Sequence, residues 1–205
     1  MFSAVPGARV IVASLGGRDV RSDSGLVFTE LADLAKVEVC DVLCVPGGSG
    51  TNAAMLDDAF MREIRRLAGL ARYQTSVCTG ALILGAAGLL RGKRATTYWA
   101  ERDVLKEFGA IVDSDRVVRD GSVITGGGVT AGLDFALVAI AEIFGRDAAE
   151  TAQLQLEYAP APPFEGGRPE NAPAQVTARV RSRLSALLAA DKAAVEEAAR
   201  RLPAA

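Results

Sequence analysis

Histidine is absent from this chain of 205 residues, and the absence excludes several mechanisms at once. A Cys-His or Ser-His nucleophile pair, a histidine-ligated zinc site and an imidazole general base all need a side chain that the sequence lacks. Whole classes of catalytic and metal site are removed by this single observation.

Cysteine is scarce, with three residues. An odd number cannot close a disulfide framework, and free thiols suit a reducing compartment, so we expect no disulfides and a cytoplasmic location. Cys40 and Cys44 lie in the apolar run 37–45, which predicts a buried strand, and two cysteines alone cannot build a metal site. We therefore expect both to be core residues rather than ligands.

The chain also has little excess charge and no long apolar run. Its formal net charge is −2, and the arginine clusters at 62–66 and 179–183 have the spacing of solvated helix faces. Apolar stretches such as 81–90 contain glycines and stop well short of the roughly 20 residues that a membrane span needs. The first residues show no signal-peptide pattern. We expect neither a nucleic acid nor a membrane as a partner.

Strand-like and helix-like segments alternate along the chain, whose length fits one domain over 1–205. Strands are predicted at 9–14, 42–45, 73–77, 117–118 and 122–125, and helices at 51–70 with a break near 57–58, 79–90, 99–108, 130–144 and 148–156. Five prolines make 159–174 an extended surface segment, and 176–202 reads as one long amphipathic helix. The alternation predicts an α/β fold with a mostly parallel sheet covered by helices on both faces.

Two strand ends in this pattern look specialised for chemistry. Parallel sheets bind ligands at the carboxyl ends of their strands, so the loops 46–50 and 76–80 should face one crevice. Cys78 lies where a strand runs directly into a helix, which is the arrangement of a nucleophile elbow. A thiol at a helix N-terminus meets the positive end of the helix dipole and unpaired N–H groups, and we expect both to lower its pKa.

Developing negative charge at such a site needs donors nearby. Glycine-rich loops serve because their backbone approaches a ligand closely, and the N–H groups of Gly48 and Thr79 are the candidates. From spacing alone, a second interpretation stays open: Cys78 is a small buried residue and the glycines only turn the chain.

Several sequence words together resemble the ThiJ/PfpI superfamily, and the match covers nearly the whole chain. The words are VPGG at 45–48, SVCTGA at 76–81, GAAGLL at 85–90, RATT at 94–97 and GGVTAGLD at 127–134. Within the superfamily, the tail YAPAPPF at 158–164 is similar to the isocyanide hydratase branch.

The resemblance implies a flavodoxin-like three-layer sandwich of the glutamine amidotransferase-like kind. It also implies a homodimer with active sites near the interface, no metal or organic cofactor, and Cys78 as nucleophile. Thr79 would shape the oxyanion pocket with Gly48. The remaining residues that the resemblance places at the substrate are Gly47, Ser49, Gly127, Val129 and Thr130.

The activity that the resemblance implies is hydration of an isocyanide to an N-substituted formamide, a lyase reaction. The Cys78 thiolate would add to the terminal carbon of the isocyanide, protonation would give a thioimidate, and water would release the product. The physiological isocyanide does not follow from the sequence.

Two departures from the family pattern matter. Members commonly carry histidine where this chain has Tyr98, which excludes a Cys-His-Glu triad, although the hydratase branch does not rely on one. The hydratases also begin with a further strand and an aspartate that transfers the proton, whereas this chain starts at Met1, after that segment. We expect the native product to begin upstream, and spacing assigns the role of general acid to no carboxylate in the given sequence.

Two other functions stay open beside the hydratase. An amidase, protease or deglycase of the same superfamily usually draws on a nearby His or Glu that this chain does not obviously supply. A redox or metabolite sensor would show oxidation of Cys78 without turnover. Regulators with a similar domain carry a helix-turn-helix module, but the residues after Gln175 predict one continuous helix, so DNA binding is not expected.

Overall fold

The computed structural model describes residues 1–202. Its strands are β1 (Ala13–Ser14), β2 (Val20–Arg21), β3 (Val27–Phe28), β4 (Ala32–Asp33), β5 (Val42–Val45), β6 (Tyr73–Val77), β7 (Arg94–Ala95), β8 (Ile111–Val112), β9 (Val117–Asp120) and β10 (Val123–Gly126). Its α-helices are α1 (Thr51–Leu56), α2 (Asp58–Leu70), α3 (Gly80–Ala86), α4 (Ala131–Phe144), α5 (Arg146–Gln155) and α6 (Ala174–Arg200). Short 3-10 helices cover Phe2–Ala4, Leu15–Gly17 and Leu34–Lys36, and a longer one covers Trp99–Phe108.

A four-stranded sheet of order β5-β6-β10-β9 lies at the centre. β5, β6 and β10 run parallel, and β9 pairs antiparallel with β10 in the hairpin that the sequence predicts. The register sets Val45 opposite Ser76 and Gly126 opposite Val77. The carboxyl ends of three parallel strands therefore meet at one edge of the sheet, as predicted.

Helices cover both faces of this sheet. On one face, α2, α3, α6 and the 3-10 helix Trp99–Phe108 bury a large apolar cluster that includes Leu67, Leu84, Phe108 and Val195. On the other face, α4 packs Phe135 against Ile124 of β10. The predicted α/β fold with a mostly parallel sheet between helical layers is confirmed.

The break predicted inside the helix 51–70 is confirmed, and its cause is a helix cap. Asp57 has an extended backbone conformation, with φ of −84° and ψ of 106°, and its carboxylate accepts hydrogen bonds from the N–H groups of Ala59 and Phe60. An aspartate in this position satisfies the free N–H groups of the first helical turn. The chain therefore ends α1 and starts α2 at Asp57.

Two predicted elements are shorter than expected. The strand predicted at 9–14 is formed only by Ala13–Ser14, while Val10, Ile11 and Val12 are exposed, and of these three only Val12 bonds to a strand of residues 1–202, through its carbonyl and the Ala32 N–H of β4 at 3.0 Å. The helix predicted at 79–90 ends at Ala86, because Gly88 has φ of +83° and cannot continue a right-handed helix. Apolar composition predicted both segments, but it does not supply a strand partner or fix where a helix ends.

The prediction that both Cys40 and Cys44 are core residues is wrong. Cys44 is exposed and Cys40 is half-buried. Side chains alternate between the two faces of a strand, and Cys44 points to the face opposite the buried Leu43 and Val45 of β5. Neither thiol forms a disulfide.

The C-terminal helix predicted at 176–202 is observed as α6, two residues earlier at each end. It packs against α1, α3 and the 3-10 helix Trp99–Phe108, and it buries Asp191, Ala194, Val195 and Ala198. Before it, the proline-rich segment is exposed and forms turns and bends, and an ion pair joins Arg102 to Glu170.

In the described part of the chain, no helix has both the length and the apolarity to cross a membrane.

Candidate active site

Cys78 occupies a strained turn between β6 and α3. Its φ is +57°, a left-handed conformation that residues other than glycine rarely adopt. Neighbouring groups hold the turn: the Cys78 N–H donates to the carbonyls of Gly126 and Gly127 at 3.0 and 2.7 Å, and the Thr97 hydroxyl donates to the Cys78 carbonyl at 2.8 Å. The geometry is that of the predicted nucleophile elbow.

The glycines around Cys78 allow the loop 46–50 to touch this turn. A Cβ atom at Gly47 would lie 2.5 Å from both the amide nitrogen and the hydroxyl oxygen of Thr79. A Cβ atom at Gly80 would lie 2.1 Å from the carbonyl oxygen of Val45. Both distances are far shorter than a van der Waals contact, so these two positions require glycine for close approach.

The hydroxyl of Thr79 connects the two loops. It accepts a hydrogen bond from the Gly48 N–H at 3.1 Å and lies 2.8 Å from the hydroxyl of Thr51. The Thr51 hydroxyl in turn lies 2.8 Å from the Gly48 carbonyl. The Gly48 N–H, predicted to point at a ligand, is thus used to fix Thr79.

The backbone N–H groups of Thr79 and Val129 are directed at the sulfur of Cys78 and favour its thiolate. Burial nevertheless raises the pKa of the Cys78 thiol above its ordinary value, and the nearby Glu101 carboxylate raises it further, while the Thr79 and Val129 bonds lower it by less. The predicted lowering of this pKa is therefore wrong. The prediction relied on the dipole of α3, but this helix has only seven residues. It also left out the apolar surroundings of the thiol, which disfavour the thiolate.

A cavity of about 270 Å³ opens beside the sulfur. It is lined by Asp23, Gly48, Ser49, Thr51, Asn52, Cys78, Thr79, Leu82, Tyr98, Glu101, Val129, Leu184, Leu187 and Asp191. Five of the residues predicted from the sequence are therefore together at one cavity: Cys78, Thr79, Gly48, Ser49 and Val129.

Three predicted site residues lie behind the cavity wall and not on it. Gly47 packs under Thr79, as described above. Gly127 donates its N–H to the Arg116 carbonyl at 2.9 Å and accepts the N–H of Cys78. Thr130 precedes α4, and its hydroxyl accepts a hydrogen bond from Arg116 at 3.3 Å. Their positions support the elbow and the start of α4.

Sequence reasoning missed the acidic wall of the cavity. Glu101 and Asp191 are 3% and 6% exposed, and their side chains hydrogen-bond to each other. Asn52 Nδ2 donates to Asp191 Oδ1 at 2.5 Å. Burial, together with the Asp191 charge and hydrogen bond, raises the pKa of Glu101 to about 8.

The signals that could have found these residues are weak. Glu101 follows the Thr-Thr-x-Trp word by two positions, whereas nothing in the helical pattern of 176–202 distinguishes Asp191. Among residues 1–202, no cluster of three or more carboxylates and cysteines is arranged to hold a metal ion.

The chain is similar to several known proteins. It is 51% identical over 183 residues to the isonitrile hydratase of Pseudomonas putida, covering 89% of this chain and 80% of that one. It is 30% identical over 149 residues to the protein dj-1beta of Drosophila melanogaster, covering 69% and 78% of the two chains. A crystal structure of a ThiJ/PfpI family protein from Pseudomonas syringae superimposes with a TM-score of 0.91 at 42% identity, covering 95% of this chain and 81% of that one.

These likenesses agree with the flavodoxin-like α/β sandwich described above. Residues 2–142 match the DJ-1/PfpI family, and this chain belongs to that family.

Proposed function

We propose that this protein is an isocyanide hydratase that converts an isocyanide to an N-substituted formamide through a thioimidate on Cys78. The likeness to the isonitrile hydratase of Pseudomonas putida carries the proposal. The elbow at Cys78 supports it, because a strained turn presents one sulfur to a cavity large enough for a small carbon electrophile.

The first step uses the sulfur and its donors. The Cys78 thiolate attacks the terminal carbon of the isocyanide and forms the C–S bond, and a proton delivered to that carbon gives the thioimidate. The N–H groups of Thr79 and Val129 stabilise the thiolate and compensate part of its cost of burial. The Thr79 hydroxyl accepts the Gly48 N–H and so fixes the residue after Cys78 against the loop 46–50.

The second step releases the product. Water adds to the thioimidate carbon and one of its protons goes to nitrogen; the hydroxyl proton of this adduct then leaves as the C–S bond breaks, which gives the formamide and the Cys78 thiolate and returns the proton used in the first step. Leu82, Leu184 and Leu187 form an apolar wall of the cavity. This wall suits the alkyl or aryl substituent of an isocyanide, which has no hydrogen-bond donor.

We further propose that the enzyme is a cytoplasmic homodimer with its active sites near the interface. Three unpaired thiols fit a reducing compartment. Val129 lines the cavity and is 80% exposed, and Leu133 on the following turn is also exposed, so a second copy that covers them would enclose the site. Light scattering should give twice the chain mass, and a monomer would contradict the proposal.

The activity is tested with three proteins: the wild type, Cys78→Ala and Cys44→Ala. Each is incubated with cyclohexyl isocyanide, and formamide is quantified by chromatography. Wild type and Cys44→Ala, which alters an exposed thiol away from the cavity, should form product at equal rates. Cys78→Ala should form none. Product from Cys78→Ala at the wild-type rate, or no product from the wild type, would refute the hydratase, and oxidation of Cys78 without turnover would favour the sensor.

A further inference from the structure

The cavity wall opposite the elbow carries a carboxyl group that nothing in the described structure neutralises. Glu101 is 3% exposed and contacts the Asp191 carboxyl, and its Oε2 atom accepts no hydrogen bond from an amide, hydroxyl or cationic donor among residues 1–202. Buried side-chain oxygens in folded proteins are normally hydrogen-bonded. A buried carboxyl group that has no such donor, on the wall of the cavity that also holds Cys78, points to a group that acts on what binds there.

The partners of Glu101 determine where its proton lies. Two carboxyl groups in hydrogen-bond contact cannot both be ionised at low cost, so the pair shares one proton. Asn52 Nδ2 donates to Asp191 Oδ1, whereas no amide, hydroxyl or cationic donor among residues 1–202 reaches Glu101 Oε2. The shared proton therefore belongs to Glu101, which is a neutral acid at physiological pH.

Other groups on the same wall are less suited to deliver a proton. The groups that interact electrostatically across this part of the cavity are Cys78, Tyr98, Glu101 and Asp191. Burial raises the pKa of the Tyr98 phenol above its ordinary value of 10, so it gives up a proton reluctantly at neutral pH. Asp23 is exposed at the cavity mouth, where it accepts a hydrogen bond from the Ser49 hydroxyl.

We propose that Glu101 is a general acid of the hydration reaction, a role that the family resemblance gives to an aspartate upstream of Met1, and that Asp191 and Asn52 are positioning residues that keep the proton on Glu101. This inference rests on the proposed hydratase function. When the Cys78 thiolate bonds to the terminal carbon, that carbon becomes the basic centre, and Glu101 transfers its proton there and becomes a carboxylate.

The same residue completes the proton balance. Water adds its oxygen to the thioimidate carbon and supplies one proton to nitrogen, which gives a tetrahedral adduct. The adduct loses its hydroxyl proton to the Glu101 carboxylate as the C–S bond breaks, leaving formamide, thiolate and a neutral Glu101. One isocyanide and one water are consumed for each formamide, and no oxidant or reductant is needed.

The test compares Glu101→Gln with Asp103→Asn. Both replace a carboxyl by an amide on the same 3-10 helix, but Asp103 is exposed and pairs with Lys106. Glu101→Gln should lower kcat about 10²- to 10⁴-fold, the usual contribution of a general acid. Asp103→Asn should keep the wild-type rate. Alkylation of Cys78 by iodoacetamide, which needs no proton donor, should stay within about threefold of wild type or become faster in Glu101→Gln.

A pH profile separates an acid from a merely structural residue. The reacting form needs both a Cys78 thiolate and a protonated Glu101, so wild-type kcat/KM should rise up to the pKa of Glu101, level off, and decline only above the higher pKa of Cys78. Glu101→Gln should lack this alkaline decline. If Glu101→Gln forms formamide with the wild-type kcat, Glu101 is not a general acid, but the proposed hydratase function is retained. No formamide from the wild type would overturn both. If Glu101→Gln loses both its turnover and the reactivity of Cys78 with iodoacetamide, the substitution has disrupted the whole site, and the assignment of Glu101 as an acid is refuted.

Discussion

Asn52 on α1 donates a hydrogen bond to Asp191 on α6 at 2.5 Å, joining residues 139 positions apart. The bond ties the C-terminal helix to the cavity through a polar contact in addition to its apolar packing. Because Asp191 also contacts Glu101, the position of α6 determines the charge of the cavity wall. The electrostatics of the site thus depend on a segment far from the elbow in sequence.

The buried carboxyl pair makes stability depend on pH. In the unfolded chain Glu101 loses its proton near its ordinary pKa of 4.5, and in the folded protein near 8. Between these values the folded state binds more protons, so the free energy of unfolding should fall as pH rises, by at most about 1.4 kcal/mol per pH unit. Urea unfolding across this window measures the slope.

Glu101→Gln should flatten that slope and be more stable than wild type at the alkaline end, because no charge must then be buried. Asp103→Asn is the control: a hydrogen bond from Lys106 lowers the pKa of Asp103, so this residue titrates below the window and its removal should leave the slope unchanged. An unaltered slope in Glu101→Gln would contradict the pairing.

The contact between Gly47 and Thr79 predicts a mutation that damages the site without removing a functional side chain. In Gly47→Ala, the new Cβ would lie 2.5 Å from the Thr79 nitrogen, so the loop or the elbow must move. A displacement of about 1 Å at a catalytic group can cost about 10²-fold in rate, and we expect a loss of that order. Formamide production and iodoacetamide labelling of Cys78 measure it.

Gly50→Ala provides the matched comparison in the same loop. Gly50 has φ of −75°, and a Cβ atom there would meet nothing within 4 Å. Its activity should equal that of the wild type. Equal activity of both alanine variants would show that the loop adapts freely and that its close approach to the elbow is unimportant.

Gly85 and Gly69 predict stability changes of opposite sign. A Cβ atom at Gly85 would lie 2.2 Å from Cδ2 of the buried Phe108, so Gly85→Ala should lower the free energy of unfolding by about 1–3 kcal/mol. Gly69 lies in α2 with open space around it, and Gly69→Ala should raise it by about 0.5–1 kcal/mol. Urea denaturation measures both changes. If the free energy of unfolding changes in the same direction in both variants, the packing explanation is refuted.

Local features of the site could be predicted from the sequence. The elbow at Cys78 follows from a strand that meets a helix through one residue, and the meeting of loops 46–50 and 76–80 follows from the parallel register of β5 and β6. Both depend on neighbours in sequence or on a general rule of sheets. The acidic wall depends on how α6 packs, which no local pattern encodes, so Asp191 was missed.

Segments that need a distant partner were also predicted poorly. Val10, Ile11 and Val12 have the composition of a strand, but a strand forms only where another offers hydrogen bonds, and these residues are exposed. Cys44 was expected in the core because its neighbours are apolar. It is exposed because it points to the face of β5 opposite the buried Leu43 and Val45.

Thr96 and Thr97 are adjacent threonines behind the elbow, and they provide a last prediction because only one of their hydroxyls is hydrogen-bonded within the described structure. Both are fully buried, but Thr97 donates to the Cys78 carbonyl at 2.8 Å, whereas the Thr96 hydroxyl has no partner among residues 1–202. Thr97→Val leaves the Cys78 carbonyl with only the long bond from the Ala81 N–H at 3.4 Å and should lower the free energy of unfolding by about 0.5–1.5 kcal/mol.

Thr97→Val should also lower hydratase activity, because the lost bond helps hold Cys78 at φ of +57°. Thr96→Val removes a hydroxyl that gains nothing from burial and keeps the backbone N–H that donates to Thr125, so its stability should equal or exceed that of the wild type. Urea unfolding and formamide production on both variants measure the contrast. Equal losses in both would mean that valine disturbs the packing at either position, and that the bond to Cys78 does not maintain the elbow.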